Sequence, residues 1–160
     1  MDDLDQRILQ VLQEDSALSH AQLAERVHSS APTCMRRLQK LKAEGWIERE
    51  VAILNGDKLG RELAWGLHAI VEVSLERQSA QCLDEFERAA CASTAVQQCW
   101  RTSAGPDFIL VLHMADMPAY QAWAGAFLGD NLQVRHVKTY FASKRAKFST
   151  ALAWPVQTPR

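Results

Sequence analysis

Between Leu67 and Leu75, apolar side chains alternate with a second set: Leu67, Ala69, Val71, Val73 and Leu75 against His68, Ile70, Glu72 and Ser74. A period of two makes a strand with one strongly apolar face. Such a strand commits the chain to building a sheet and covering that face. The residues that follow supply the cover. Ser79 is placed to cap a helix carrying Leu83, Phe86 and Ala90 at helical spacing, and residues 96–103 read as a second strand. Ala104-Gly105-Pro106-Asp107 is a tight turn, and residues 108–114 are nearly all apolar, as in a buried strand. Asp116 caps a second helix with Tyr120, Trp123 and Phe127 on one stripe, and residues 134–141 make a fourth strand. The order β-α-β-β-α-β is the ferredoxin-like split unit, one antiparallel sheet with two helices on one face. The other face needs its own cover. Trp100, Phe141 and Trp154 have few candidates within the chain to bury them, so a second copy, hence a dimer, is expected.

The first sixty residues follow a different period. Leu4, Ile8, Val11 and Leu12 form one helical stripe, with Asp2 or Asp3 as cap. Ser19 and Gln22 have capping-box spacing ahead of a short helix with Leu23, Ala24 and Val27 inward. His28 and Ser29 make the next turn, Ser30 caps a third helix, and Pro32 stands in its first turn, where a missing N–H costs little. On that helix Cys34, Leu38 and Leu41 share a buried face, while Thr33, Arg36, Arg37 and Lys40 share a polar, cationic one. Arg26 through Lys42 holds five Lys and Arg residues and no acid. Three short helices, the last with a basic face, describe a helix-turn-helix reader of DNA. Arg36 and Arg37 are suited to guanine, Thr33 to a base or the thymine methyl, and Lys40 and Lys42 to phosphate. Gly45 ends the helix, and residues 46–54 are β-prone, as in a wing beside the three helices. Asn55-Gly56-Asp57 signals a turn, which places a domain boundary between Leu54 and Trp65.

Length and charge agree with two small domains. The chain has 160 residues and a net charge of −1, unevenly spread. Residues 131–160 hold six basic residues and no acid. That basic tail suits a polyanion, a membrane surface or an acidic partner, or it is a solvated surface. Its stretch from Arg135 to Lys147 either touches DNA or is a solvated strand and its extension. No stretch has the length of a membrane span, and the acidic N-terminus lacks a secretion pattern, so a cytoplasmic protein is expected. Cys34, Cys82, Cys91 and Cys99 form no C-x-x-C pair and read as small buried hydrophobes in a reducing compartment.

The residues resemble the leucine-responsive/asparagine-regulator (Lrp/AsnC, or feast/famine) family of transcription factors. The resemblance runs through Leu4-Asp5-x-x-Ile8-Leu9, Ser19-x-x-x-Leu23-Ala24-x-x-Val27 and Ser30-x-x-Thr33-Cys34-x-x-Arg37-Leu38-x-x-Leu41. It continues in Gly45-Trp46-Ile47, Leu54-Asn55-x-x-x-Leu59-Gly60, Ser103-x-x-x-Asp107-Phe108, Ala115-Asp116-Met117-x-x-Tyr120 and Lys147-x-Ser149-Thr150-Ala151-Leu152. It implies an α+β chain: a winged helix-turn-helix over 1–54, a linker over 55–64, and a ferredoxin-like effector-binding and oligomerisation domain over 65–160. It implies a sequence-specific regulator, not an enzyme. Its assembly or DNA affinity would be modulated by a small molecule, usually an amino acid. It also implies a homodimer that assembles further, often to an octamer. The DNA-binding residues are then Ser30, Pro32, Thr33, Arg36, Arg37 and Lys40. The family's ligand loop falls on Ser103, Ala104, Gly105, Pro106 and Asp107, with Trp100 and Thr102 on the strand leading in. Asp107 has two readings: acceptor for an amino acid's ammonium group, or turn residue bonded to backbone.

Three departures from the family stand out. His28 and Ser29 replace the usual Gly and Leu of the helix-turn-helix turn, though His tolerates a left-handed backbone better than most residues. Ala104 takes the usual Gly position of the ligand loop, with Gly105 displaced by one. Pro106 stiffens that loop. Two other classes compete. A ferredoxin-like dimeric enzyme, resembling a tetrapyrrole decarboxylase, would use His68, His113 or His136. These show no short ligand spacing, so neither a metal nor a cofactor is expected. An assembly module that has lost DNA binding is the third reading, motivated by His28 and Ser29.

Overall fold

The first helix, α1 (Asp3–Glu14), starts with a reciprocal cap: the Asp2 carboxylate accepts from the Asp5 N–H, and the Asp5 carboxylate from the Asp2 N–H. The computed structural model describes residues 1–63, 66–129 and 133–154. Helix α2 (His20–Arg26) opens with the capping box of Ser19 and Gln22, and α3 (Ala31–Ala43) opens on Ser30 with Pro32 in its first turn. Between them His28 takes φ +52°, while the Ser29 N–H reaches the Ala24 carbonyl and the His28 N–H the Glu25 carbonyl. These are the two bonds of a Schellman ending, with histidine in the left-handed position usually filled by glycine. The substituted turn is therefore intact. Gly45, at φ +75°, ends α3 in the same way. Ile8, Leu23, Ala24, Val27, Cys34 and Leu41 form the buried core that joins the three helices.

The strands expected in the wing are corrected. Residues 46–54 contain no strand. Ile47 packs on the three-helix core, and a Lys42–Glu50 ion pair of 2.7 Å ties the segment to α3. β-prone residues form a strand only beside a partner edge, and none of the described residues supplies one here. The turn expected at Asn55 is instead a helix start: its carboxamide accepts from the Lys58 N–H, and α4 (Gly56–Leu63) follows within the expected linker. Trp65, the far limit of the expected boundary, lies outside the described residues. Residues 1–53 form one unit together with residues 147–154, which fall within the second domain expected over 65–160. Within that unit the Leu152 N–H donates to the Gln13 carboxamide.

The second unit, residues 54–146, carries the ferredoxin-like sheet. Its elements are β1 (Leu67–Leu75), α5 (Ala80–Ala92), β2 (Val96–Arg101), β3 (Phe108–Met114), α6 (Met117–Phe127) and β4 (Val134–Phe141). The antiparallel order is β2-β3-β1-β4. Alternation puts Val71, Val73, Phe108, Leu110 and Leu112 on one face, where they meet Phe86 and Ala90 of α5 and Tyr120, Trp123 and Phe127 of α6. The opposite face is open and presents Ile70, Trp100 and Tyr140 to solvent, Trp100 at 60% exposure. Phe141 is exposed too, but on the helix side, edge-on to Tyr120 with ring centroids 4.9 Å apart. Trp154 is half-buried, in the segment that groups with the N-terminal unit. The cysteines are corrected too, since only Cys34 is buried, Cys82 and Cys99 are half-buried, and Cys91 is exposed.

Candidate functional site

Helix α3 and its N-cap carry all the expected DNA-contacting residues, but they do not form one uniform face. Ser30 is the N-cap and also donates its hydroxyl to Thr33 Oγ1 at 2.8 Å, leaving Thr33 half-buried. Pro32, Arg36 and Lys40 are exposed at successive turns. Lys40 lies 3.7 Å from Glu44, one turn on, while Arg36 forms no ion pair among the described residues. Arg37 points elsewhere. Its guanidinium lies 2.5 Å from Asp2 Oδ2 and 3.1 Å from Asp5 Oδ1, and Asp5 is only 2% exposed. The Asp5 N–H and then the Arg37 guanidinium hold the Asp2 carboxyl below its usual range, and the hydrogen bond to Asp2 pushes Arg37 up. Arg37 thus fastens α3 to the start of α1. The sequence grouped it with the base readers because helical periodicity cannot show which neighbour lies beneath a side chain.

In the second unit a cavity of about 320 Å³ opens at the β2–β3 turn. It is lined by Arg101, Thr102, Ser103, Ala104, Gly105, Pro106 and Asp107, with Gln78 and Leu83 as the opposite wall. Six of the seven expected effector residues line it. Trp100 does not: it points to the open sheet face and donates its indole N–H to Gln98. Strand alternation already separates position 100 from 101. Gln78 and Leu83 escaped the sequence reading because they come from a distant helix start. Gly105 takes φ +83° at the tip of the turn, and Thr102 closes it by donating its hydroxyl to the Pro106 carbonyl.

Asp107 is 8% exposed, and its Oδ2 accepts from the Leu75 N–H at 2.7 Å. The β1–β3 ladder ends at the Val73–Phe108 pair, so this carboxylate satisfies an N–H just beyond its end. Asp107→Ala should leave that buried N–H unpaired and cost roughly 1–3 kcal/mol of stability. Asp107→Asn keeps an acceptor and should fold with little loss. Denaturation of the two variants checks this, and an alanine variant as stable as the asparagine one would refute the structural role.

Among the described residues no group of three or more His, Cys, Asp and Glu side chains is arranged to hold a metal ion. His68 and His113 stack on each other with ring centroids 4.3 Å apart. No helix among the described residues is long and apolar enough to cross a membrane.

A winged helix-turn-helix DNA-binding model matches residues 1–48, and the Lrp/AsnC ligand-binding domain matches residues 68–152. The leucine-responsive regulatory protein of Rhizobium meliloti (strain 1021) is 32% identical over 92% of each chain. An AsnC-family transcriptional regulator from Agrobacterium tumefaciens is 31% identical with a TM-score of 0.85, covering 96% of this chain and 97% of its own. A transcriptional regulator from Neisseria meningitidis, solved as its complex with L-methionine, is 29% identical with a TM-score of 0.83, covering 96% of both chains. A helix-turn-helix joined to a ferredoxin-like ligand-binding domain defines a DNA-binding transcriptional regulator. The chain belongs to the Lrp/AsnC family of such regulators. The enzyme alternative gives way to that membership, and the intact turn at His28 removes the motive for a module without DNA binding.

Proposed function

We propose that the chain regulates transcription in the cytoplasm by laying α3 in the major groove, under the control of an amino acid held in the 101–107 cavity. The observation that carries this reading is the exposed row of Pro32, Arg36 and Lys40 on a helix whose orientation Arg37, Asp2 and Asp5 set. Arg36 reads a base edge, Thr33 and Pro32 make close contacts at the helix start, and Ser30 and Lys40 meet phosphate. The DNA-binding domain is residues 1–54, and the effector and assembly domain starts after the linker. The L-methionine complex of the Neisseria regulator supports an amino-acid effector. The open sheet face with Ile70, Trp100 and Tyr140 supports pairing of two copies, and such dimers build the higher assembly, up to an octamer.

The test is titration of a duplex from the DNA upstream of its own gene with wild type and Arg36→Ala. The variant should lose roughly 1–3 kcal/mol of specific binding, about fivefold to 150-fold, with its fold unchanged. Equal affinity would remove Arg36 from the base contacts.

A further inference from the structure

Helix α5 and strand β2 meet along a seam of paired side chains. Asp84, Glu87 and Cys91 recur at spacings of three and four and so share one side of α5. Cys99 and Arg101, two residues apart, share one face of β2. Arg101 lies 2.9 Å from Asp84 and 3.7 Å from Glu87, which sets the helix stripe over that strand face. The two elements run in opposite directions. One turn further along α5 therefore stands over two residues earlier in β2, which sets Cys91 over Cys99. Cys91 is exposed, while Cys99 is half-buried against the core. The other cysteines are elsewhere: Cys34 is buried in the other unit, and the Cys82 thiol faces the Gln133 carboxamide.

We propose that Cys91 and Cys99 form a reversible dithiol–disulfide site, closed by exchange with a small-molecule disulfide, which fastens the end of α5 to β2. The exposed Cys91 thiolate attacks one sulfur of oxidised glutathione and expels one glutathione thiolate. Cys99 then loses its proton and displaces the second glutathione, closing the protein disulfide. The two cysteines give up two electrons and two protons, and the glutathione disulfide takes them up as two thiols. Burial pushes the Cys99 thiol up to about 11, so it stays protonated until Cys91 has reacted and acts second. The closed bond sits two residues before Arg101, and Arg101 and Leu83 wall the cavity from these same two elements. An influence on effector binding rests on the proposed effector reading; the bond itself does not.

The test uses the full chain in mixtures of reduced and oxidised glutathione, quenched with a thiol-alkylating label in denaturant, which exposes every thiol, and cut with trypsin. Cleavage after Arg88 and Arg101 releases a peptide of residues 89–101 that contains Cys91 and Cys99 and no other cysteine. In oxidising mixtures that peptide should lose both labels and two hydrogen atoms, and regain both labels after dithiothreitol. The Cys34 and Cys82 peptides should stay labelled. Cys91→Ser should leave Cys99 labelled, and Cys99→Ser should hold glutathione on Cys91. Two labels on the 89–101 peptide in every mixture would overturn the proposal. So would a wild-type mixed disulfide that never closes, or a bond between two chains. None of these readouts depends on DNA or an effector, so they stand apart from the proposed function.

Discussion

Replacing Asp5 with alanine is expected to destabilise the N-terminal unit by roughly 2–3 kcal/mol and to weaken operator binding with it. Asp5 is buried, and its carboxylate accepts from the Asp2 N–H at 3.0 Å and from Arg37 at 3.1 Å. Alanine removes half of the reciprocal cap and leaves Arg37 with only the exposed Asp2 to hold α3. Arg37→Ala breaks the same contact, so the double variant should be little worse than Asp5→Ala alone. Hydrogen exchange resolves the lesion: amides of α1 and α3 should lose protection while those of β1 and β3 keep theirs. Additive costs would show that Asp5 and Arg37 act separately. The pH dependence follows from Asp2. Its carboxyl is held below the usual 3.8 by the Asp5 N–H and then by Arg37, so folding favours the ionised form. The stability it lends is complete above that value and drains as pH falls through the lowered one. Asp2→Ala should flatten this acid limb, and an unchanged limb would exclude Asp2 as its source.

The larger loss is expected from Phe86→Ala, at about 3–5 kcal/mol. Phe86 has no exposed surface, and its ring lies 4.6 Å from Phe108 and 5.7 Å from Phe127, between centroids. It is the side chain of α5 that meets both the centre of the sheet and the end of α6. Truncation opens a void that a four-stranded sheet cannot collapse to fill. Chemical denaturation should show the second unit unfolding at lower denaturant, with amides of α1 to α3 protected as in wild type. Loss of that unit also removes the open sheet face, so self-association should fall in step. A cost under about 1 kcal/mol would mean that the helix layer repacks freely, against the close ring contacts seen here.

The parts of this fold that were readable were those encoded by neighbours in the chain. Ser19, Ser30, Ser79 and Asp116 each cap the helix that follows, because a short polar side chain bonding an N–H three residues on is local chemistry. The bounds of β1 follow from alternation and those of β3 from a nearly unbroken apolar run. Asn55 shows where local chemistry is ambiguous, since the bond that makes an Asx turn also starts a helix. Residues 46–54 have strand propensity without a partner strand, which no local pattern reports.

The candidate sites divide in the same way. Arg36 and Lys40 could be placed on an exposed face from spacing. The clamp on Arg37 depends on which residues α1 brings beneath it, and the Asp107–Leu75 bond on the end of a strand 32 residues away. Gln78 and Leu83 complete the cavity only after α5 packs on the sheet.

Binding of the full chain to its own upstream DNA, at low and at physiological salt and with and without a mixture of amino acids, tests the regulator reading directly. Specific binding should weaken steeply as salt rises, because Lys and Arg contacts release counterions from the phosphates. Affinity or stoichiometry should change when the amino acids are added. Binding to this DNA no tighter than to an unrelated duplex, at either salt and with or without amino acids, would contradict that reading.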